Sequence, residues 1–124
     1  MKRSIAAIIL LLFLIFAYTF NYTYINKTCE KANEKLQNCI EVYKNGEDAT
    51  EEARELERYW TDKEPFLSVF ANHAMIDEIE LAISSLAIYT DTKNNAIFYE
   101  YSSTVKTLLH QMLEDTRPSM HSIL

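Results

Sequence analysis

The sequence predicts an all-α protein in which an N-terminal transmembrane helix continues into a small antiparallel bundle of three to five helices. Three observations predict it. A single Gly and two Pro in 124 residues leave little for tight hairpins or phosphate-cradling loops and suit long helices. Residues Ile5 to Phe20 (IAAIILLLFLIFAYTF) carry no charge. Beyond them apolar residues recur at intervals of three and four, and alternating runs of strand type are absent.

The apolar start is read as an uncleaved signal anchor. With the mixed stretch Asn21 to Ile25 it reaches about 21 residues, enough to cross a hydrocarbon core of about 30 Å at 1.5 Å per residue. A cleaved secretory signal is the rival, because a basic start followed by the apolar run Ile5 to Ala17 also fits that pattern. Against cleavage, no small-x-small site is present: Ile15 stands two positions before Ala17, and bulky Tyr and Phe follow. Nor does a lipobox precede Cys29. Lys2 and Arg3 then stay in the cytoplasm by the positive-inside rule, Tyr18, Tyr22 and Tyr24 fall at the outer interface, and the rest of the chain faces out. The domain division is therefore 1–25, transmembrane signal anchor, and 26–124, extracytoplasmic helical bundle.

Ile25, Cys29, Ala32, Leu36, Cys39 and Tyr43 follow at alternating spacings of four and three, so the transmembrane helix runs on into the first bundle helix. Asn45-Gly46 ends it, with Gly46 taking the left-handed conformation. Asp48 or Thr50 caps the next helix, whose stripe is Ala49, Ala53, Leu56 and Trp60. Pro65 interrupts it: with Asp62 as a new cap, Pro65 would sit in the first turn of a short helix carrying Phe66, Leu67 and Phe70, a single kinked helix being the alternative. Asn72-His73 makes the next break, before a helix with Ile76, Ile79, Ile83 and Leu86 on one face and Asp77, Glu78 and Glu80 near its positive end. Asp91 to Asn95 reads as a polar turn. A last helix runs to about Asp115 with Phe98, Tyr101, Val105, Leu108 and Met112 inward. Pro118 breaks the tail, whose Ile123-Leu124 is apolar enough to fold back onto the bundle. Helices with apolar faces and short connections pack antiparallel.

Charge narrows the partners. Of 12 basic and 18 acidic residues only Lys2 and Arg3 precede the apolar run, so the part beyond carries about −8. Such a domain is a poor nucleic-acid binder and is repelled by anionic headgroups.

Few residues invite chemistry. Cys29 and Cys39, ten residues apart on one helix, would lie about 15 Å from each other, too far for a disulfide; they read as buried thiols, with pairing across a dimer the alternative. His73, Asp77 and Glu80, at spacings of four and three, could hold a divalent metal along one helical face, but acids near a helix start have an ordinary role there and no second histidine motif complements His73. His110 and Glu114 read as an exposed pair four apart, and His121 has no evident partner. The Gly-rich turns that orient a nucleophile are missing, so neither catalytic residues nor a cofactor is expected. Tyr59, Trp60, Phe66 and Phe70 could form a partner-binding patch, although at helical spacing such a group is more often core. Asn21-Tyr22-Thr23 and Asn26-Lys27-Thr28 match the glycosylation acceptor pattern but hug the membrane.

Trp60, the KEPFLSVF segment, Asn72-His73, the IDEIELA stretch at Ile76 to Ala82 and LEDTRPS at Leu113 to Ser119 together carry a resemblance over nearly the whole chain. The sequence resembles a family of small single-anchor helical proteins, classed as a domain of unknown function, from clostridia and related spore-forming Gram-positive bacteria. The resemblance implies a cell-membrane protein working beside a multi-pass membrane partner in an envelope or sporulation setting, and it brings no catalytic residues. The expectation is a non-enzymatic accessory or interaction module at the bacterial envelope, its partners the cell membrane and an integral membrane protein, with homo-oligomers left open. The alternative is an extracytoplasmic ligand- or metal-binding sensor domain built on His73, Asp77 and Glu80.

Overall fold

A computed structural model describes residues 1–90 and 94–116, which form four helices and no strand. The first, α1 (Lys2–Lys44), is continuous over 43 residues. Its first half stands outside the fold: the large apolar residues from Ile5 to Phe20 are exposed. Its second half supplies Ile25, Cys29, Ala32, Leu36 and Cys39 to the core, each essentially inaccessible. The expected stripe is therefore the core stripe of α1. The helix is long and apolar enough to cross a membrane, judged by length and composition.

Gly46 takes φ +83°, and its N–H donates to Tyr43 O at 3.0 Å while that of Glu47 donates to Val42 O at 3.2 Å. These paired bonds satisfy the last carbonyls of α1 and turn the chain back. Asp48 Oδ1 then accepts from the Thr50 N–H (3.0 Å) and Oγ1 (2.6 Å), starting α2 (Thr50–Phe70). Helix α2 passes through Pro65 without a break, which corrects the expectation of a new helix capped by Asp62. Trp60 and Leu67, on either side of the proline, are both fully enclosed, so the burying face runs on past it. Pro65 and Thr61, whose carbonyl loses its donor, lie on the exposed side, so that carbonyl is open to solvent rather than enclosed.

Asn72 caps α3 (His73–Tyr89), its Oδ1 accepting from the Ala74 N–H at 2.9 Å. Ile76, Ile79, Ile83 and Leu86 of this helix are buried, as their spacing predicts. Of the expected polar turn, 91–93 lie outside the described residues; Asn94 Oδ1 accepts from the Ile97 N–H at 3.4 Å near the start of α4 (Asn95–Thr116). Phe98, Val105 and Met112 are buried and Tyr101 and Leu108 pack at the margin; Leu109, not on the expected stripe, is buried too. The tail, with His121 and Ile123-Leu124, lies outside the described residues.

Each helix packs on its neighbours in sequence, and α4 closes the ring on α1. The cross-contacts fix opposite directions. Tyr24 meets Phe66 and Lys35 meets Glu55 between α1 and α2; Thr50 meets Thr90 and Trp60 meets Ile76 between α2 and α3. Tyr43 meets Phe98 between α1 and α4, its ring stacked at 3.7 Å, and its hydroxyl donates to Asn95 Oδ1 at 2.7 Å. Buried hydroxyls within the bundle are satisfied locally: Thr28 Oγ1 donates to Tyr24 O and Ser102 Oγ to Phe98 O. The bundle thus has a proximal end, from which the apolar half of α1 projects and where α2 turns into α3, and a distal end at Gly46 and Thr90.

Candidate functional site

The aromatic group expected on α2 divides. Trp60 is fully enclosed, and its Nε1–H donates to Ile76 O at 3.4 Å; it is core and leaves the candidate docking patch. Tyr59 is half-buried, with the ammonium groups of Lys35 and Lys63 each 5.5 Å from its ring centroid. Both cations lie within reach of a cation–π attraction. Burial foremost, then the neighbouring Tyr24, raises the Tyr59 hydroxyl above its usual range. Phe66 is exposed and joins an aromatic cluster with α1, 4.3 Å from the Tyr24 ring and 6.2 Å, edge on, from Phe20. The side chain of Phe70 lies outside the described residues.

His73, Asp77 and Glu80 share the first turns of α3, but they do not face one another as a set. His73 and Asp77 are exposed, whereas Glu80 is half-buried against α2, where it meets Glu64. Among the described residues no three His, Cys, Asp or Glu side chains converge to hold a metal ion. Instead, Glu64 is the perturbed acid: burial first, then a hydrogen bond with Glu80 and repulsion from Glu80 and Asp77, push its carboxyl up to about 7. One of its oxygens, Oε1, is enclosed with no hydrogen-bond partner. Burial and the neighbouring carboxyls thus favour the protonated form of Glu64. Sequence spacing could not show this pair, because Glu64 and Glu80 belong to different helices.

Cys29 and Cys39 are free and buried. Burial pushes both thiols up to about 12, with Glu52 adding to the rise at Cys39. His110 Nε2 stands 3.6 Å from Glu114 Oε1, an exposed pair as expected. Nearby, Asn33, Lys106, Leu109, His110 and Leu113 line an open groove of about 320 Å³ between α1 and α4.

Sequence reasoning missed Leu81 and Ile88, which project from the outer face of α3 and are each 69% exposed. A signal was available: α3 carries apolar residues on more positions than one burying face can use. With Asp77 and Glu78 also exposed, that face combines apolar and acidic character.

Residues 19–123 match the family described as a domain of unknown function, DUF4363. The chain belongs to the DUF4363 family. No curated protein and no solved structure matches it. The DUF4363 match thus takes in the whole bundle and begins within the exposed apolar half of α1, close to the Phe20–Tyr24–Phe66 cluster.

Proposed function

We propose that this DUF4363 protein is a non-enzymatic, membrane-anchored interaction module of the bacterial envelope, whose bundle stands on the extracytoplasmic side and docks an integral membrane protein beside it. One observation carries the reading: α1 is a single helix whose first half lies outside the fold and is apolar on all sides, and whose second half is bundle core. An exposed all-round apolar helix of this length has its natural solvent in lipid. Lys2 and Arg3 at its start support a cytoplasmic N-terminus, and the resemblance noted above supports a Gram-positive setting. An unjointed helix holds the bundle at a set height over the membrane, which suits contact with a neighbour in that membrane. The apolar and acidic outer face of α3 is the surface offered.

Two measurements test this. Gln37→Cys, exposed on α1 away from α3, should in intact cells react with a membrane-impermeant thiol reagent, and no labelling until the cells are lysed would reverse the orientation. A photo-crosslinking residue in place of Leu81 should yield a discrete membrane-protein adduct in native membranes; recovery of monomer alone through growth and sporulation would sink the interaction role.

A further inference from the structure

The register between the helices, combined with the length a transmembrane segment requires, sets how high the bundle stands above the lipid. Crossing about 30 Å at 1.5 Å per residue takes about 20 residues, and the uncharged run of α1 begins just after Arg3, so lipid extends to about Tyr24. Tyr24 is the residue whose ring packs against Phe66 at 4.3 Å. The antiparallel course of α2, fixed also by the Lys35–Glu55 bond at 2.9 Å, sets Val69 opposite Asn21. Val69 therefore sits about 4.5 Å below the level of Tyr24.

Charge follows the same level. After Arg3 the first charged residue of α1 is Lys27, which the register sets beside Lys63. The Trp60–Ile76 and Thr50–Thr90 contacts set Asp77 of α3 at the height of Tyr59 to Lys63. On α4, Glu114 and Asp115 come to the same height, given Tyr43 against Asn95 and Phe98. Below that plane the α2–α3 turn, Pro65 to Ile76, contains no Asp, Glu, Lys or Arg in a chain that is 24% charged. It nevertheless exposes large apolar side chains: Val69 is 70% and Phe66 40% exposed, and Phe66 touches Phe20, the end of the exposed apolar run of α1.

We propose that the α2–α3 turn is a second membrane contact, with Phe66 and Val69 entering the interface of the same bilayer that α1 crosses. The occupant of this apolar end is lipid, because its surface continues that of the spanning helix and charge resumes on α1, α2 and α3 at closely similar heights. The acidic groups of the bundle stay at or above that plane, which keeps them out of the hydrocarbon. Two contacts, one spanning and one dipping, fix tilt and rotation as well as height, and they turn the outer face of α3 to a constant direction. This inference rests on the anchor reading of α1.

The test uses the full chain in phosphatidylcholine vesicles, carrying an environment-sensitive fluorophore on Val69→Cys, with Leu12→Cys and Ile88→Cys as references. The enclosed native thiols are checked by labelling the unsubstituted protein. Lipids with a nitroxide near the end of the acyl chain should quench the label at 12, and lipids with it near the headgroup that at 69, while both leave that at 88 bright. Quenching at 12 with none at 69 overturns the second contact and leaves the anchor intact. No quenching at 12 removes the anchor, and the proposal with it. If quenching at 69 falls as the protein-to-lipid ratio rises, a second copy displaces lipid from this end and the proposal fails.

Discussion

Replacing Glu64 by Gln should stabilise the bundle at neutral pH and abolish a pH dependence that the wild-type chain shows. In the folded protein the Glu64 carboxyl is raised from 4.5 to about 7, chiefly by burial and then by Glu80 and Asp77. The folded state therefore holds this proton more tightly than the unfolded chain. Its favourable contribution is complete below about 4.5, declines as pH rises from there to about 7, and is gone above that. At 1.36 kcal/mol per pH unit the whole interval would amount to about 3 kcal/mol. Because Glu64 is only half-buried and solvent screens it, about 1 to 2 kcal/mol is the expected size. An amide cannot ionise and still donates to Glu80, so Glu64→Gln should exceed wild type by that amount at pH 8 and match it near pH 4.5. Guanidinium unfolding of the full chain in detergent micelles, followed by circular dichroism, reads the difference. A gap between variant and wild type that is the same at both pH values, or a less stable variant at pH 8, would refute the assignment.

Trp60→Ala removes a fully enclosed ring and should cost about 3 to 5 kcal/mol, enough to abolish a cooperative thermal transition; an unchanged midpoint would mean Trp60 is not core. Asn72→Ala takes away the acceptor for the Ala74 N–H and should cost about 1 kcal/mol, with Asn72→Asp close to wild type. At Gly46, where an added Cβ would meet nothing within 4 Å, substitution by Ala should cost about 1 kcal/mol through backbone strain alone. Maleimide at pH 7 should label neither Cys29 nor Cys39 in the native chain, since both are buried with thiols near 12, and both once denaturant is added; fast native labelling of either would contradict the packing of α1.

Much of the fold was legible in the chain. The stripes Ile25 to Tyr43 on α1, Ala49 to Trp60 on α2 and Ile76 to Leu86 on α3 are the burying faces, because a helix buries one face and that face repeats with the turn. Gly46 and Asn72 were legible because each acts within a few residues of itself. Pro65 misled: a local rule places proline in a first turn, whereas here a burying face that continues from Trp60 to Leu67 holds α2 together across it. Leu81 and Ile88 escaped notice because α3 carries more apolar residues than its burying face uses, and periodicity does not say which are left out.

The sequence by itself determined most of the helical course, the burying stripe of each helix, and that α1 carries an apolar, uncharged half, all properties of residues within a few turns of one another. Only the tertiary structure decided that Phe66 lies beside Tyr24, that Glu64 lies against Glu80, and that Val69 is bare. These depend on how far one helix slides along the next, and that offset is set by side chains packing across the bundle, between positions too distant in the chain for any local pattern to record.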